Sequence, residues 1–479
     1  MIDIITLIML LGAGFVSLVD MKKGFLICVA TGFLQDPLRK MVPNEPVYYT
    51  MLVGAMVAIA FIGAKLQGIN LSFRPIHSRD NTLRVPLMLF FTVVLFQCLI
   101  AFINTGSVIV PAIGLVAYLS PIPALLLAYH YARDERSVLL FLQVYLVFSM
   151  LMLSGVYLSV LGYDWGILKP VGKGMAVYTT KGRLELPGGF FRASEVAAWH
   201  AAAAICFLII LSTVTKKQSV TWINSLFIVF LLGALLLTGR RKMVLEIIMF
   251  IPTFALFIAW FRGGSKKLIA PVALVALMVF VVAFGDILPD KTSETAKPFL
   301  ERAGSLQATG DPLDRLLHMS VYSVKWVVLA NGFFGSGAGT GSQGSQHFGA
   351  GATITGAAAE GGLAKVLAEL GVPGLCVFFW FMYRFMRYLV RVMASAKNMP
   401  PEQGNLIYGI MAFLAANSVV FVTASQIYGD VFVLLMLGWL VGIVLAIPRM
   451  LAVPAVPART RVRAWGEGTP LEPAAEKAP

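Results

Sequence analysis

Three cations in a row, Arg240-Arg241-Lys242, follow Thr238-Gly239 in a short turn between two apolar runs. Fixed cations suit anionic groups: an arginine holds a phosphate through two parallel hydrogen bonds, and a lysine adds a point charge. A second group leads into another apolar run. Arg192 and Glu195 flank its start, and Trp199 and His200 lie one turn inside. Ionisable residues at that depth are candidates for function, while ordinary interfacial anchoring by Trp and Arg explains them equally well. A third group is a stripe. Arg315, His318, Tyr322 and Lys325 recur at three- and four-residue steps, the spacing of one helix face, which a merely solvated face also satisfies. Asp36, Arg39 and Lys40 form a further polar cluster with no evident role.

Metal chemistry has little to work with. Cys28, Cys98, Cys206 and Cys376 lie singly inside apolar runs, with no CxxC and no His neighbour. They read as small core residues, and neither a metal nor a cofactor is expected.

The elements that must position these groups are membrane-spanning helices. The 479 residues are 58% hydrophobic and 13% charged, against about a quarter charged in soluble domains. Mean hydropathy is +0.82. A lipid solvent accommodates such a chain if backbone groups pair internally, and the long continuous apolar runs select helices over a barrel. The expected fold is all-α, a polytopic bundle of about 12–13 spans. Candidates are 2–19, 24–35, 47–65, 85–103, 106–131, 137–160, 193–213, 219–238, 243–261, 268–286, 364–386, 405–424 and 430–448. The second is short, and Pro111, Pro121 and Pro123 predict a break in the fifth. The N-terminus lacks a basic n-region and an A-x-A-like site, so the first run is expected to be retained.

A net charge of +14 reflects loop cations, and no basic patch interleaved with aromatics suggests nucleic acid. Lys22 and Lys23, Arg74 to Arg84, Arg133 and Arg136, Lys216 and Lys217, Arg262 to Lys267, Arg387 to Lys397, and Arg449 to Arg463 fall on one set of alternate loops. The positive-inside rule places that set in the cytoplasm, with the N-terminus outside and the C-terminus inside. Arg240-Arg241-Lys242 then lies on the wrong side. Moving it inward would push Lys216-Lys217 and Arg262 to Lys267 outward, which favours a functional cluster over a miscounted span.

Residues 1–286 thus hold helices and an outer loop at 161–192. Residues 287–363 form a large outer loop, 364–450 the last helices, and 451–479 a Pro- and Ala-rich cytoplasmic tail expected to be disordered. Within the large loop, Asp311-Pro312 starts and Asn331-Gly332 stops an amphipathic helix. The Gly-rich run from Gly332 to Gly356 is no dinucleotide fingerprint, since no strand precedes it and no acid follows at the right distance. A flexible lid, or a loop letting backbone approach a ligand, fits better. Beyond it, Lys365 and Glu369 are four apart and suited to pair within a helix.

The chain resembles the O-antigen ligase and Wzy-type polysaccharide polymerase superfamily. The likeness rests on a dozen or so spans with a large outer loop before the last few, and on Arg240 or Arg241 at the outer end of a middle span. An arginine-led helix also runs from Arg315 into Gly335-Ser336-Gly337. The family's signature of His, a polar residue, nine variable residues, Gly, two variable residues and Gly is matched in spacing by Glu360, Gly361, Gly371 and Gly374. Glu360 thus stands at the His position and Gly361 at the polar one.

The resemblance implies metal-independent glycosyl transfer at the periplasmic face of a bacterial inner membrane. The donor is a glycan on a polyprenyl diphosphate, and the acceptor a sugar hydroxyl on another lipid-linked glycan (polymerase) or on lipid A core (ligase). Arg240, Arg241, Lys242 and Arg315 would hold the diphosphate. Glu360 would be the base, with His318 or His347 as substitutes. Arg192, Glu195 and His200, read from the residues themselves, are secondary candidates for an acceptor or lipid site. Other polysaccharide export and chain-length proteins are implied partners. A non-catalytic transporter or flippase is the competing class, although such proteins often carry internal repeats and charges near the bilayer midplane.

Overall fold

The computed structural model describes residues 2–73, 81–171, 176–179, 182–262, 323–342, 345, 361–423 and 425–452. Its helices are α1 (Ile2–Val19), α2 (Met21–Met41), α3 (Leu52–Leu66), α4 (Arg84–Thr105), α5 (Ile109–Leu119), α6 (Pro121–Tyr131) and α7 (Glu135–Val160). They continue as α8 (Ser194–Val214), α9 (Gln218–Leu237), α10 (Arg241–Arg262), α11 (Ser323–Asn331), α12 (Gly362–Ser395), α13 (Pro401–Thr423) and α14 (Val431–Ala452). Between α7 and α8, β1 (Ala176–Thr179) and β2 (Gly182–Glu185) pair antiparallel, with Ala176 opposite Glu185. The expected all-α bundle therefore carries one small hairpin, which no alternating apolar pattern announced.

Among the described residues, ten helical segments are long and apolar enough to cross a membrane, taking α5 and α6 together. The expected count of about 12–13 includes three more. The apolar part of α1, Thr6–Val19, is shorter. α2 spends its last turns on buried Gln35, Asp36, Arg39 and Lys40. The span expected at 268–286 lies outside the described residues, as does the start of the helix expected from Asp311. That helix stops where expected, at Asn331, with Gly332 at φ +75°. The broken span is observed too: α5 ends at Leu119 and α6 starts on Pro121, whose missing N–H is tolerated at a first helical position.

α8 sits at the centre, with nearly every residue buried. Its run Ala201-Ala202-Ala203-Ala204 lets neighbours pack closely, while Trp199 and Phe207 fill the space toward α13, both against Phe413. Side-chain caps start two helices: Asp20 accepts from Lys22 N and Lys23 N on α2, and Asp134 from Ser137 N on α7.

Contacts sort the loops into two groups. At one end Lys216 pairs with Glu402 at 3.4 Å, Arg262 donates to the carbonyls of Ala396 and Met399, and Arg449 to that of Ala132. At the other end Lys40 donates to the carbonyls of Gly189 and Phe191, and Arg192 meets Asp36 and Asp430. These are the two sets of alternate loops read from the sequence.

The Gly-rich segment requires a correction. Residues 336–340 are not a flexible lid but a buried insert between α4, α5 and α12. Gln97 on α4 donates to the carbonyls of Phe334 and Leu370, Asn104 to that of Ser336, and Ala338 N to Gln97 O. The close backbone approach that glycine permits is to these helices. At Gly335 (φ +77°) a Cβ would stand 2.6 Å from Gly371 N. Gly371, at φ +69° and ψ −176°, breaks α12 so that Val372 N can donate to Phe333 O. Glu369 does not follow the expected pairing with Lys365 either. Its carboxylate accepts from the Tyr118 hydroxyl at 2.7 Å and from Gly341 N at 3.0 Å, which ties the insert to α12. The cysteine reading holds for Cys28, Cys98 and Cys206, whereas Cys376 is exposed on α12.

Candidate functional site

Charged side chains from four elements converge at the Arg192 end. Glycine shapes the approach: Gly189, at φ +59°, turns the chain so closely against α7 that a Cβ there would meet Gly155 and Val156. Lys40, on the last turn of α2, donates to the carbonyls of Gly189 and Phe191 at 2.8 and 2.6 Å and fixes this turn to the bundle. Arg192 follows. Its Nη2 lies 2.6 Å from Asp430 Oδ2, its Nη1 3.6 Å from Asp36 Oδ1, and its backbone N donates to Asp36 Oδ2 at 3.1 Å. Burial opposes the charged guanidinium, yet Asp430 and Asp36 outweigh it and hold the pKa above the ordinary arginine value.

Two residues on, α8 begins, and its first turn receives Arg240. Arg240 Nε donates to Ser194 Oγ at 3.0 Å, and Nη1 lies 3.0 Å from Glu195 Oε1. The two side chains are 16% and 15% exposed, so the pair is largely dry but reachable. Burial lowers the pKa of Arg240, and Glu195 opposes that effect. Arg240 reaches α8 because Gly239, at φ +66°, turns the chain between α9 and α10. Both guanidiniums are therefore pre-oriented by carboxylates and anchored within residues 192–195.

Of the residues singled out in the sequence, Arg192, Glu195 and Arg240 are thus brought together. Arg241 opens α10 beside them, and Lys242 follows, half-buried. His200 lies deeper and is enclosed: Nδ1 shares a 2.7 Å hydrogen bond with the Tyr145 hydroxyl, and its ring stacks on Phe191 at 9°. Nε2 has no hydrogen-bond partner among the described residues, and the residue is 0% exposed, out of reach of a substrate in this state. Glu360, Arg315, His318 and His347 lie outside the described residues.

Sequence reasoning left several members without a role. Asp36 and Lys40 were visible as a polar cluster, but their partners were not. Asp430 gave no signal beyond standing before the last span. Glu246 gave one that was available: it is the only carboxylate in the apolar run 243–261. It is fully buried on α10, with Oε1 accepting from Asn417 Nδ2 at 2.8 Å. Among the described residues no group of three His, Cys, Asp or Glu could hold a metal ion. The chain matches no protein-family model and no curated protein.

Proposed function

We propose that this chain is a membrane glycosyltransferase of polysaccharide assembly, moving a glycan from a polyprenyl diphosphate to a sugar hydroxyl at the periplasmic face of a bacterial inner membrane. One observation carries the reading: Arg192, just before α8, and Arg240, bonded to Ser194 and Glu195 in the first turn of α8, are held at the same end of the bundle, each oriented by a carboxylate and neither fully enclosed. A departing diphosphate needs fixed donors of this kind. Guanidiniums held in place before the ligand arrives lose little freedom when they bind it.

In the proposed reaction the acceptor hydroxyl oxygen attacks the anomeric carbon of the donor sugar. The bond from that carbon to the phosphate oxygen breaks, and its electron pair stays on the diphosphate, stabilised by Arg240 and Arg192, with Arg241, Lys242 and Arg315 as further candidates. The hydroxyl proton passes to Glu360, the residue at the histidine position of the superfamily the chain resembles. Polymerase activity is preferred to ligation onto lipid A core, because the altered signature suits a divergent branch. Release of free polyprenyl diphosphate from a lipid-linked oligosaccharide, measured in proteoliposomes containing an acceptor, tests the reading. Donor that stays intact over many turnovers' worth of time counts against it.

The competing reading is transport of a lipid-linked glycan between leaflets. It is favoured by Glu246, an ionisable group buried within a span. Redistribution of unaltered donor between leaflets would identify it.

A further inference from the structure

Below the two guanidinium pairs lies a single saturated amide. Asn417 on α13 is 3% exposed and makes contacts to three other elements. The indole of Trp199, from α8, donates to Oδ1 at 2.9 Å. Because an indole nitrogen can only donate, this contact fixes which way the amide points. Nδ2 then donates to Glu246 Oε1 on α10 at 2.8 Å and to Phe413 O at 3.1 Å. The Tyr428 hydroxyl, from the turn Gln426–Gly429, donates to Asn417 O at 2.7 Å and lies 3.1 Å from Oδ1.

Each arm of this hub leads to a member of the charge cluster. Trp199 is one helical turn beyond Glu195 on α8. Glu246 is on α10, which begins directly after Arg240. Tyr428 precedes Asp430, the partner of Arg192, by two residues. The hub adds buried polar bonds to the apolar packing between these elements. Through it, the helix that follows Arg240 and the turn that precedes Asp430 are bonded to the same residue, Glu246 to its side-chain amide and Tyr428 to its backbone carbonyl and Oδ1. The groups are dry, so breaking one arm leaves a polar atom buried without a partner, which is unfavourable. The arrangement is therefore held in one geometry.

We propose that Asn417 and Glu246 are positioning residues that set the spacing between the Arg240–Glu195 and Arg192–Asp430 pairs, and hence the fit of a diphosphate across the two guanidiniums. This rests on the diphosphate-binding reading above. Glu246 works here as a hydrogen-bond acceptor through Oε1, which glutamine can replace and leucine cannot.

The test uses the full chain in nanodiscs, with a short-chain polyprenyl diphosphate and the matching neutral polyprenol as probes. Spin labels at Met41→Cys on α2 and Ile248→Cys on α10, both exposed sites, report the spacing across the cluster in a Cys376→Ser background. Glu246→Gln is expected to keep wild-type spacing and diphosphate affinity. Glu246→Leu and Asn417→Leu are expected to shift or broaden the distance distribution and weaken diphosphate binding at least tenfold, with polyprenol binding unchanged. If the leucine variants fail to fold, Asn417→Asp carries the same expectation, since it keeps the acceptor for Trp199 and replaces the Nδ2 that donates to Glu246 and to Phe413 O with an oxygen. Unchanged spacing in these variants, or a Glu246→Gln variant that behaves like leucine, overturns the proposal. Absent diphosphate binding by the wild type, with the spacing still displaced in the variants, sinks the functional reading and leaves the positioning intact.

Discussion

Arg240 Nη1 lies 3.0 Å from Glu195 Oε1, so a cation that the loop charges leave on the wrong side of the membrane is met by a carboxylate on the neighbouring helix. α8 offers the residue a socket formed by Ser194 and Glu195.

Replacing Arg240 by alanine takes from Glu195 the cation 3.0 Å away in a mostly dry site. A double-mutant cycle of Arg240→Ala and Glu195→Ala, read by thermal melting in detergent, is expected to give a coupling of about 0.5–3 kcal/mol. Additive effects would mean the pair contributes nothing. Arg240→Lys is not expected to rescue, because an ammonium cannot serve Ser194 and Glu195 in the guanidinium's fixed fork geometry.

Asp430→Asn is expected to destabilise the Arg192 end by about 1–3 kcal/mol, since a largely buried guanidinium loses its nearest counter-charge. The same substitution keeps side-chain oxygen available to cap Val433 N, so helix α14 itself should survive. Limited proteolysis near residues 186–192 reads the effect: faster cleavage is expected, and an unchanged rate would contradict the clamp.

Gly371→Ala places a side chain on a left-handed residue and against the Phe334 carbonyl group. The backbone strain alone is about 1–3 kcal/mol. Lower expression and melting temperature are expected, with Gly374→Ala milder because only side chains crowd it. Equal tolerance at both positions would show that the break in α12 is not needed.

The ends of the bundle were legible in the sequence and the pairings were not. Apolar runs and alternate loop cations are local in the chain, so they yielded the helices, the break at Pro121 and the two groups of loops. The Arg192–Asp430 contact joins segments remote in sequence, and helical periodicity assigns a face without naming its partner. Glu369 illustrates this: its four-residue step from Lys365 suggested a pair, whereas the fold gives it to Tyr118 and Gly341. The glycines of 332–342 misled for a related reason. Glycine signals close approach, and here what approaches is protein backbone on α4, α5 and α12.

The orientation read from loop charges has its own check. Single cysteines at Leu161 and at Lys216, in a Cys376→Ser background, are expected to react oppositely with a membrane-impermeant maleimide applied to whole cells. Leu161, exposed beyond α7, should label, and Lys216 should be protected. The reverse pattern would turn the bundle over and move the cation cluster to the cytoplasm.

Reconstitution with a polyprenyl-diphosphate-linked oligosaccharide tests the central claim most directly, with products resolved by length. The expected result is chain growth by the wild type that is lost in Arg240→Ala and in Glu360→Gln while membrane levels of both variants stay normal. Donor that crosses the bilayer without any change in length, or undiminished chain growth in the Arg240→Ala variant, would contradict it.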